Sequence, residues 1–197
     1  MLGELGITRC TWRSKHQRDE STPVIPFAKA NEKWVLYPHN DALVVTILVI
    51  NLTTRRILID NGSSADILLW EVFTRMGIDA AQLHSAPMSL KGFSGSMVHP
   101  LGTITLTVLT SSTPCTTSII VNFLVVRTLS SYNSIIGRPT LNSLQAVMST
   151  YQLKMKFLTP HGVVEIRGEQ VLARECYVQE LKQKDGRVTP DGTSRKE

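Results

Sequence analysis

The sequence is poor in cysteine, in aromatic residues and in long apolar runs, and each shortage removes a class of protein. Its three cysteines, Cys10, Cys115 and Cys176, lie far apart in 197 residues. Odd in number and without a framework of spacings, they point to free thiols in a reducing compartment. There is no Cys-x-x-Cys pair and the five histidines show no ligand spacing, so no metal site is expected. The longest apolar stretch, ALVVTILVI at 42–50, is about half of a membrane span. The first residues, MLGELGITRCTWRSK, have no continuous apolar core ahead of their charges, so no signal peptide is expected. The expectation is a soluble, intracellular (cytoplasmic) chain with no membrane partner. The net charge is +5, but between Asp41 and Glu175 ten Lys and Arg face eight Asp and Glu, leaving +2. The surplus lies in the flanks, and no dense basic stripe marks a direct nucleic-acid contact. Walker loops and Gly-x-Gly-x-x-Gly are missing. GFSGS at 92–96 ends in Ser where a nucleophile elbow needs Gly, which argues against a serine hydrolase.

What is present is aliphatic. Hydrophobic residues make up 42% and aromatics only 6%, so Val, Ile and Leu must build the core, and these favour strands. Residues 1–35 are polar and mixed and read as a disordered linker. Residues 36–178 form the dense domain, and 179–197 lack a core pattern and read as a disordered tail. Two strand-like runs, 42–50 and 56–60, are joined by a turn near 51–54. SADILLWEVFTRMGI spaces its apolar residues for a short helix with Gly77 as its stop. A Gly/Ser tip at 92–96 sits between strand-like arms, and Ile104, Leu106 and Val108 alternate strictly. TTSIIVNFLVV reads as a buried strand. SIIGRPTLNSLQAV runs a strand into a helix, with Pro139 in its first turn. In YQLKMKFLTPHGVVEIRG, Leu153, Met155 and Phe157 alternate with polar residues before a Pro160-His161-Gly162 turn. Strands do not alternate with long helices, so the fold class is mainly all-β and barrel-like, with minor helix.

One stretch admits two readings. In ILIDNGSSAD (57–66), Asn61-Gly62 after a strand signals a tight hairpin turn, because both residues tolerate positive φ. An acid at the end of a buried strand is also where a catalytic carboxylate would sit.

Downstream residues favour the second reading. Apolar–apolar–apolar–Asp-x-Gly at 57–62, the Gly-rich segment MSLKGFSGSMVHPLG and the later SIIGRP together resemble the retropepsin-type aspartic proteases. In that family the Asp-x-Gly loop carries the catalytic acid, an apolar–apolar–Gly segment threads beside it, and a Gly-rich hairpin covers the substrate. Over about 37–178, PHNDALVVTILV, LIDNGSSADILLW, HPLGTITL, IIGRPTLNSLQAVMSTYQLKMKF and IRGEQVLARECY look like the protease segment of plant gypsy-class retrotransposon polyproteins. The resemblance implies a closed barrel with a flap hairpin and one or two short helices. It implies an aspartic endopeptidase that cuts its own polyprotein, without metal or organic cofactor. Asp60 would be catalytic, in a loop formed with Asn61, Gly62, Ser63 and Ser64. Gly62 and Ser64 would line the substrate backbone, and Ser63 would donate a hydrogen bond to the Asp60 carboxylate. Gly92, Phe93, Ser94 and Gly95 would form the flap tip. Ile136, Gly137 and Arg138 would be structural supports, with Arg138 tying the following helix to the dimer.

The chemistry needs two carboxylates sharing one proton around a water, one as general base and one polarising the scissile carbonyl. Of the aspartates at 19, 41, 60, 66, 79, 185 and 191, only Asp60 begins an Asp-x-Gly. One chain therefore supplies half a site, and the implied assembly is an isologous homodimer. The family generally has Thr or Ser where Asn61 stands, a hydroxyl that bonds across the dimer. Asn61 leaves open the alternative of an inactive or domesticated remnant that only binds or dimerises. A nucleic-acid-binding structural segment is a third, weaker reading, without a zinc knuckle to support it. Asp66 reads as a helix-start acid favoured by the macrodipole. His84, His99 and His161 read as solvated loop residues, and Trp70 reads as core.

Overall fold

The computed structural model describes residues 9–11, 24–27, 34–86, 89–92, 95–112, 115–160 and 162–185. Twelve strands and three α-helices are formed among them. In chain order the strands are β1 (Arg9–Thr11), β2 (Val44–Val49), β3 (Leu52–Ile59), β4 (Asp66–Leu69), β5 (Leu90–Lys91), β6 (Met97–Val98), β7 (Gly102–Ser112), β8 (Cys115–Val126), β9 (Ser134–Ile136), β10 (Val147–Ser149), β11 (Lys154–Thr159) and β12 (Gly162–Arg167). The helices are α1 (Trp70–Arg75), α2 (Arg138–Ser143) and α3 (Gln170–Asp185).

Six strands close on themselves. The hydrogen-bonded order is β8-β4-β9-β3-β2-β7, and β7 pairs back onto β8 along its whole length. Closure removes sheet edges and encloses a core of alternating inward side chains. Ile104, Leu106 and Val108 of β7 are buried, as their alternation predicts, and so are Val121, Phe123 and Val125 of β8. Strands β10, β11 and β12 form a separate antiparallel sheet. The mainly-β closed barrel matches the architecture expected from the sequence, while the 16-residue α3 exceeds the one or two short helices expected.

The topology sets up one special place. Strand β9 lies between β3 and β4, parallel to β3 and antiparallel to β4. The two strands that flank residues 60–65 are therefore not each other's neighbours. Their connection must arch over the end of β9, and the backbone N–H of Asp60 donates to the Ile136 carbonyl at 2.9 Å.

Several local expectations need correcting. The β2–β3 turn is the two-residue Ile50–Asn51, not 51–54, since Val49 pairs directly with Leu52 and Ile50 takes φ 54°. Residues 66–69 are strand rather than helix, because Ile67 and Leu68 pair with both β8 and β9. The helix begins only at Trp70 and stops at Gly77, whose φ is 71°. The alternation around Met155 does not leave the lysines in solvent: Lys154 and Lys156 are buried. The segment at Pro26 covers Lys156, whose Nζ donates to the Pro26 carbonyl at 2.6 Å. Trp34 packs within cation–π range of Lys154. Residues 9–11 pair as a strand with β8, within the segment read as linker. Helix α3 runs past 178 to Asp185, held by Leu172 and Ala173 against Val44 and by Arg56 Nη1 donating to Gln179.

Candidate active site

The loop after β3 is both a turn and a mounting for an acid. Ser63 N–H donates to the Asp60 carbonyl at 3.2 Å, closing a turn over Asn61-Gly62. Neither Asn61 nor Gly62 has positive φ, so left-handed tolerance is not why they are there. Glycine is needed at 62 for space: a Cβ would stand 3.1 Å from Asp60 Oδ1. That closeness lets the Gly62 N–H donate to Asp60 Oδ1 at 2.9 Å and fix the carboxylate's rotation. The expected Ser63 bond is not made. Its hydroxyl donates to the Ala65 carbonyl at 2.9 Å, because the turn points it back along the loop, and the Gly62 amide takes its place.

The start of α2 fastens this loop from the side. Arg138 N–H donates to the Ser63 carbonyl at 3.0 Å. Arg138 Nη1 donates to the carbonyls of Gly62 at 2.8 Å and Asn61 at 3.2 Å. Arg138 therefore ties α2 to its own chain's acid loop. Gly137 packs so closely that a Cβ would collide with the Ala65 carbonyl oxygen and lie 2.9 Å from that of Ser63. Ile136 is buried beneath.

Asp66 has a role that its sequence position hides. It starts a strand, not a helix, and it caps a helix far along the chain. Its Oδ1 accepts the Gly137 N–H at 2.7 Å and its Oδ2 accepts the Thr140 hydroxyl at 2.8 Å. Burial pushes the Asp66 carboxyl above its usual range, opposed by those bonds and by the Thr140 N–H. The sequence-level signal was Gly137 preceding a helix with no N-cap side chain of its own, a vacancy that another segment must fill.

A cleft of about 620 Å³ opens beside Asp60. One wall is the acid loop with Gly62, Ser63 and Ser64. The roof is the β5–β6 hairpin, where Leu90 pairs with Val98 and Gly92 accepts from Gly95 across a tight turn. Gly95 has φ 81°, which suits glycine. Phe93 and Ser94 lie outside the described residues, as does His161. His99 is exposed and shares a 2.7 Å bond with Ser89 across the hairpin base, and His84 is exposed. The far wall comes from the segment between β8 and β9, through Thr128, Ser130 and Tyr132, which sequence reasoning did not single out. Burial raises the Tyr132 hydroxyl above its ordinary range, with Cys176 and Glu180 adding to the shift. Trp70 is half-buried against the core, stacks on Phe73 and carries Arg127 over its ring at 4.8 Å.

Chemically the arrangement offers one anchored carboxylate at the edge of a mostly apolar cleft. Asp60 Oδ2 has no hydrogen-bond partner among the described residues. No cluster of three or more His, Cys, Asp or Glu stands close enough to hold a metal among the described residues. No described helix is long and apolar enough to cross a membrane.

No family model and no curated protein sequence matches the chain. Among solved structures, the chain is similar to the retroviral protease-like domain of Ddi1 from Leishmania major, at 12% identity and TM-score 0.46, over 68% of this chain and 95% of that one. It is also similar to a retropepsin-like aspartic protease from Rickettsia conorii, at 14% identity and TM-score 0.41, over 64% of this chain and 87% of that one.

Proposed function

We propose that two copies of this chain form an aspartic endopeptidase, each contributing one Asp60. The observation that carries the reading is the placement of Asp60. It is anchored by the Gly62 amide, in a loop fastened by Arg138, at the edge of a cleft roofed by a glycine-bearing hairpin. With one Asp-x-Gly per chain, a two-fold axis beside the loop supplies the second carboxylate. The pair shares a proton, since two close like charges do not both ionise readily. The ionised Asp60 takes a proton from water as the water attacks the scissile carbonyl. The protonated Asp60 donates its proton to the carbonyl oxygen, giving a gem-diol. As the C–N bond breaks, the first Asp60 passes the proton it took from water to the leaving amine, and the second takes a proton back from a diol hydroxyl, leaving the carboxylic acid product. The apolar cleft wall provides area for peptide side chains, while Gly62 and Ser64 bring backbone close to the substrate.

The motif order described above favours a polyprotein of a plant gypsy-class retrotransposon, processed in the cytoplasm within a virus-like particle. A second reading is favoured by Asn61. Its side chain is exposed and its carbonyl is taken by Arg138. An amide there has to replace the cross-dimer hydroxyl, and a copy in which it does not would keep the fold for binding or dimerisation alone.

The test is hydrolysis of casein by the full chain, from acidic to neutral pH, beside Asp60→Asn and with pepstatin. The expected result is cleavage that Asp60→Asn abolishes and that pepstatin inhibits. Cleavage that survives Asp60→Asn overturns the site. A dimeric preparation that cleaves nothing favours the second reading.

A further inference from the structure

The far wall of the cleft is a short loop, and α3 grips it from behind. Three consecutive residues divide between two directions. Ser130 and Tyr132 line the cleft, whereas Ser131 between them is 3% exposed and faces α3. There Glu180 Oε1 accepts both the Ser131 N–H at 2.9 Å and the Ser131 hydroxyl at 2.8 Å. One turn earlier on the helix, the Cys176 thiol lies 3.6 Å from the Ser131 carbonyl as a donor. The backbone N–H and C=O of one loop residue are thus both bonded to side chains of the same helix. Tyr132 packs against the cluster of Val44, Leu172 and Ala173, and its own N–H donates to Ser130 Oγ at 3.1 Å. The helix is seated independently, through buried Leu172, Ala173 and Cys176.

We propose that Glu180 is a positioning residue for the substrate cleft: through Ser131 it holds the 130–132 wall at the distance at which Ser130 and Tyr132 meet a bound peptide. This rests on the cleft beside Asp60 being the peptide site. An unpinned loop of this kind has polar backbone groups to satisfy and no strand partner at Ser131. Losing a charged acceptor would release it toward solvent. The effect falls on peptide affinity rather than on the acid chemistry, because Glu180 acts through the loop and Asp60 is held by a different set of bonds. It follows that α3, although it carries no atom of the cleft wall, sets the width of the site.

The test compares wild type, Glu180→Ala and Glu180→Gln in the full chain by two readouts that need no turnover. These are amide hydrogen exchange at Ser131 and the dissociation constant of pepstatin. Glu180→Ala is expected to speed exchange at Ser131 by at least about tenfold and to weaken pepstatin by roughly five- to tenfold. Glu180→Gln keeps the Oε1 acceptor and is expected to restore both toward wild type. If the wild type cleaves casein, Glu180→Ala should raise KM with kcat within about twofold, in line with lost uniform binding. Unchanged exchange at Ser131 in Glu180→Ala, or a pepstatin constant equal in all three proteins, overturns the proposal. A Glu180→Gln protein that behaves like Glu180→Ala also overturns it. Retained pepstatin binding without hydrolysis, with the Glu180→Ala losses intact, rejects the catalytic reading and leaves this inference standing.

Discussion

Arg138 and Gly62 are joined beside the acid: the guanidinium Nη1 donates to the Gly62 carbonyl at 2.8 Å, one residue from the Asn61 carbonyl that it also reaches. Both bonds leave one Nη1 amino group, whose two N–H directions are fixed in the guanidinium plane; a lysine ammonium on a flexible stem has no such fixed pair. Arg138→Lys is therefore expected to lower kcat/KM on casein by about tenfold, as the loop that aims Asp60 loosens. Arg138 is exposed, so the melting temperature should move by no more than about 3 °C, the scale of a lost surface contact. A melting temperature that falls sharply would instead mark Arg138 as a folding residue.

Gly62 is held to glycine by the carboxylate itself. A methyl group there would stand 3.1 Å from Asp60 Oδ1, in the space that lets the Gly62 N–H reach the same oxygen. Gly62→Ala should displace the carboxylate by a few tenths of an ångström. It should cost roughly tenfold in kcat, since reacting groups tolerate little misplacement. Because φ at 62 is ordinary, the fold should be retained, with circular dichroism and the unfolding midpoint close to wild type. Wild-type turnover in Gly62→Ala would show that Asp60 is not the reacting group.

The seat of Asp60 at the end of β3 and the strand–helix unit at SIIGRP were legible because their patterns are local: apolar runs ending in Asp-x-Gly and in Gly-Arg-Pro. The alternation at 104–108 was legible for the same reason, as a period of two on a half-buried strand. What the chain did not disclose depends on distant partners. Asp66 looks like a helix-start acid until β9 is threaded between β3 and β4 and Gly137 arrives beside it. Lys154 and Lys156 look like the wet face of a hairpin until Pro26 and Trp34 come to cover them. Ser131 is one of several small polar residues in a loop, and only the seating of α3 makes it the pinned one.

Asp66 should be separable into a hydrogen-bonding part and a charge part. Asp66→Ala strands the Gly137 N–H and the Thr140 hydroxyl in a buried place, and should cost at least about 2 kcal/mol of unfolding free energy. Asp66→Asn keeps an acceptor for Gly137, and the Thr140 hydroxyl can rotate to meet an amide, so the loss should stay near 1 kcal/mol. The two also differ from wild type in pH dependence. Burial first, only partly offset by the bonds to Thr140 and Gly137, raises the folded carboxyl above its unfolded value. The native state then keeps a proton that the unfolded chain has released. That contribution is fully present below the ordinary carboxylate value and is lost as pH rises through the raised one. Urea midpoints measured across this window in wild type and Asp66→Asn should converge as the pH climbs. A difference that is constant with pH would mean that Asp66 titrates as it does in the unfolded chain.

Glu165 should behave with the opposite sign. Its carboxylate lies 3.6 Å from Lys154 Nζ, 3.2 Å from Lys156 Nζ and 2.8 Å from Arg167 Nε. Burial alone would raise its carboxyl, but the bonds from Arg167 and Lys156 and the charges of Lys154 and Lys156 outweigh it. The group is held below its usual range. The unfolded chain therefore takes up a proton first on acidification. The stabilisation is present above the ordinary carboxylate value and is lost as pH falls through the lowered one. Glu165→Gln leaves Lys154, 1% exposed, and Lys156, 6% exposed, beside no counter-charge among the described residues. Breaking one side of a buried pair costs about 3–5 kcal/mol; Glu165 keeps some contact with solvent, so about 2–3 kcal/mol is expected at neutral pH. Equilibrium urea unfolding should show that cost at neutral pH and show it shrinking as the wild-type carboxylate is titrated. Equal stability of the two proteins at neutral pH would mean that the lysines are held by the covering segment, through Pro26 and Trp34, and not by Glu165.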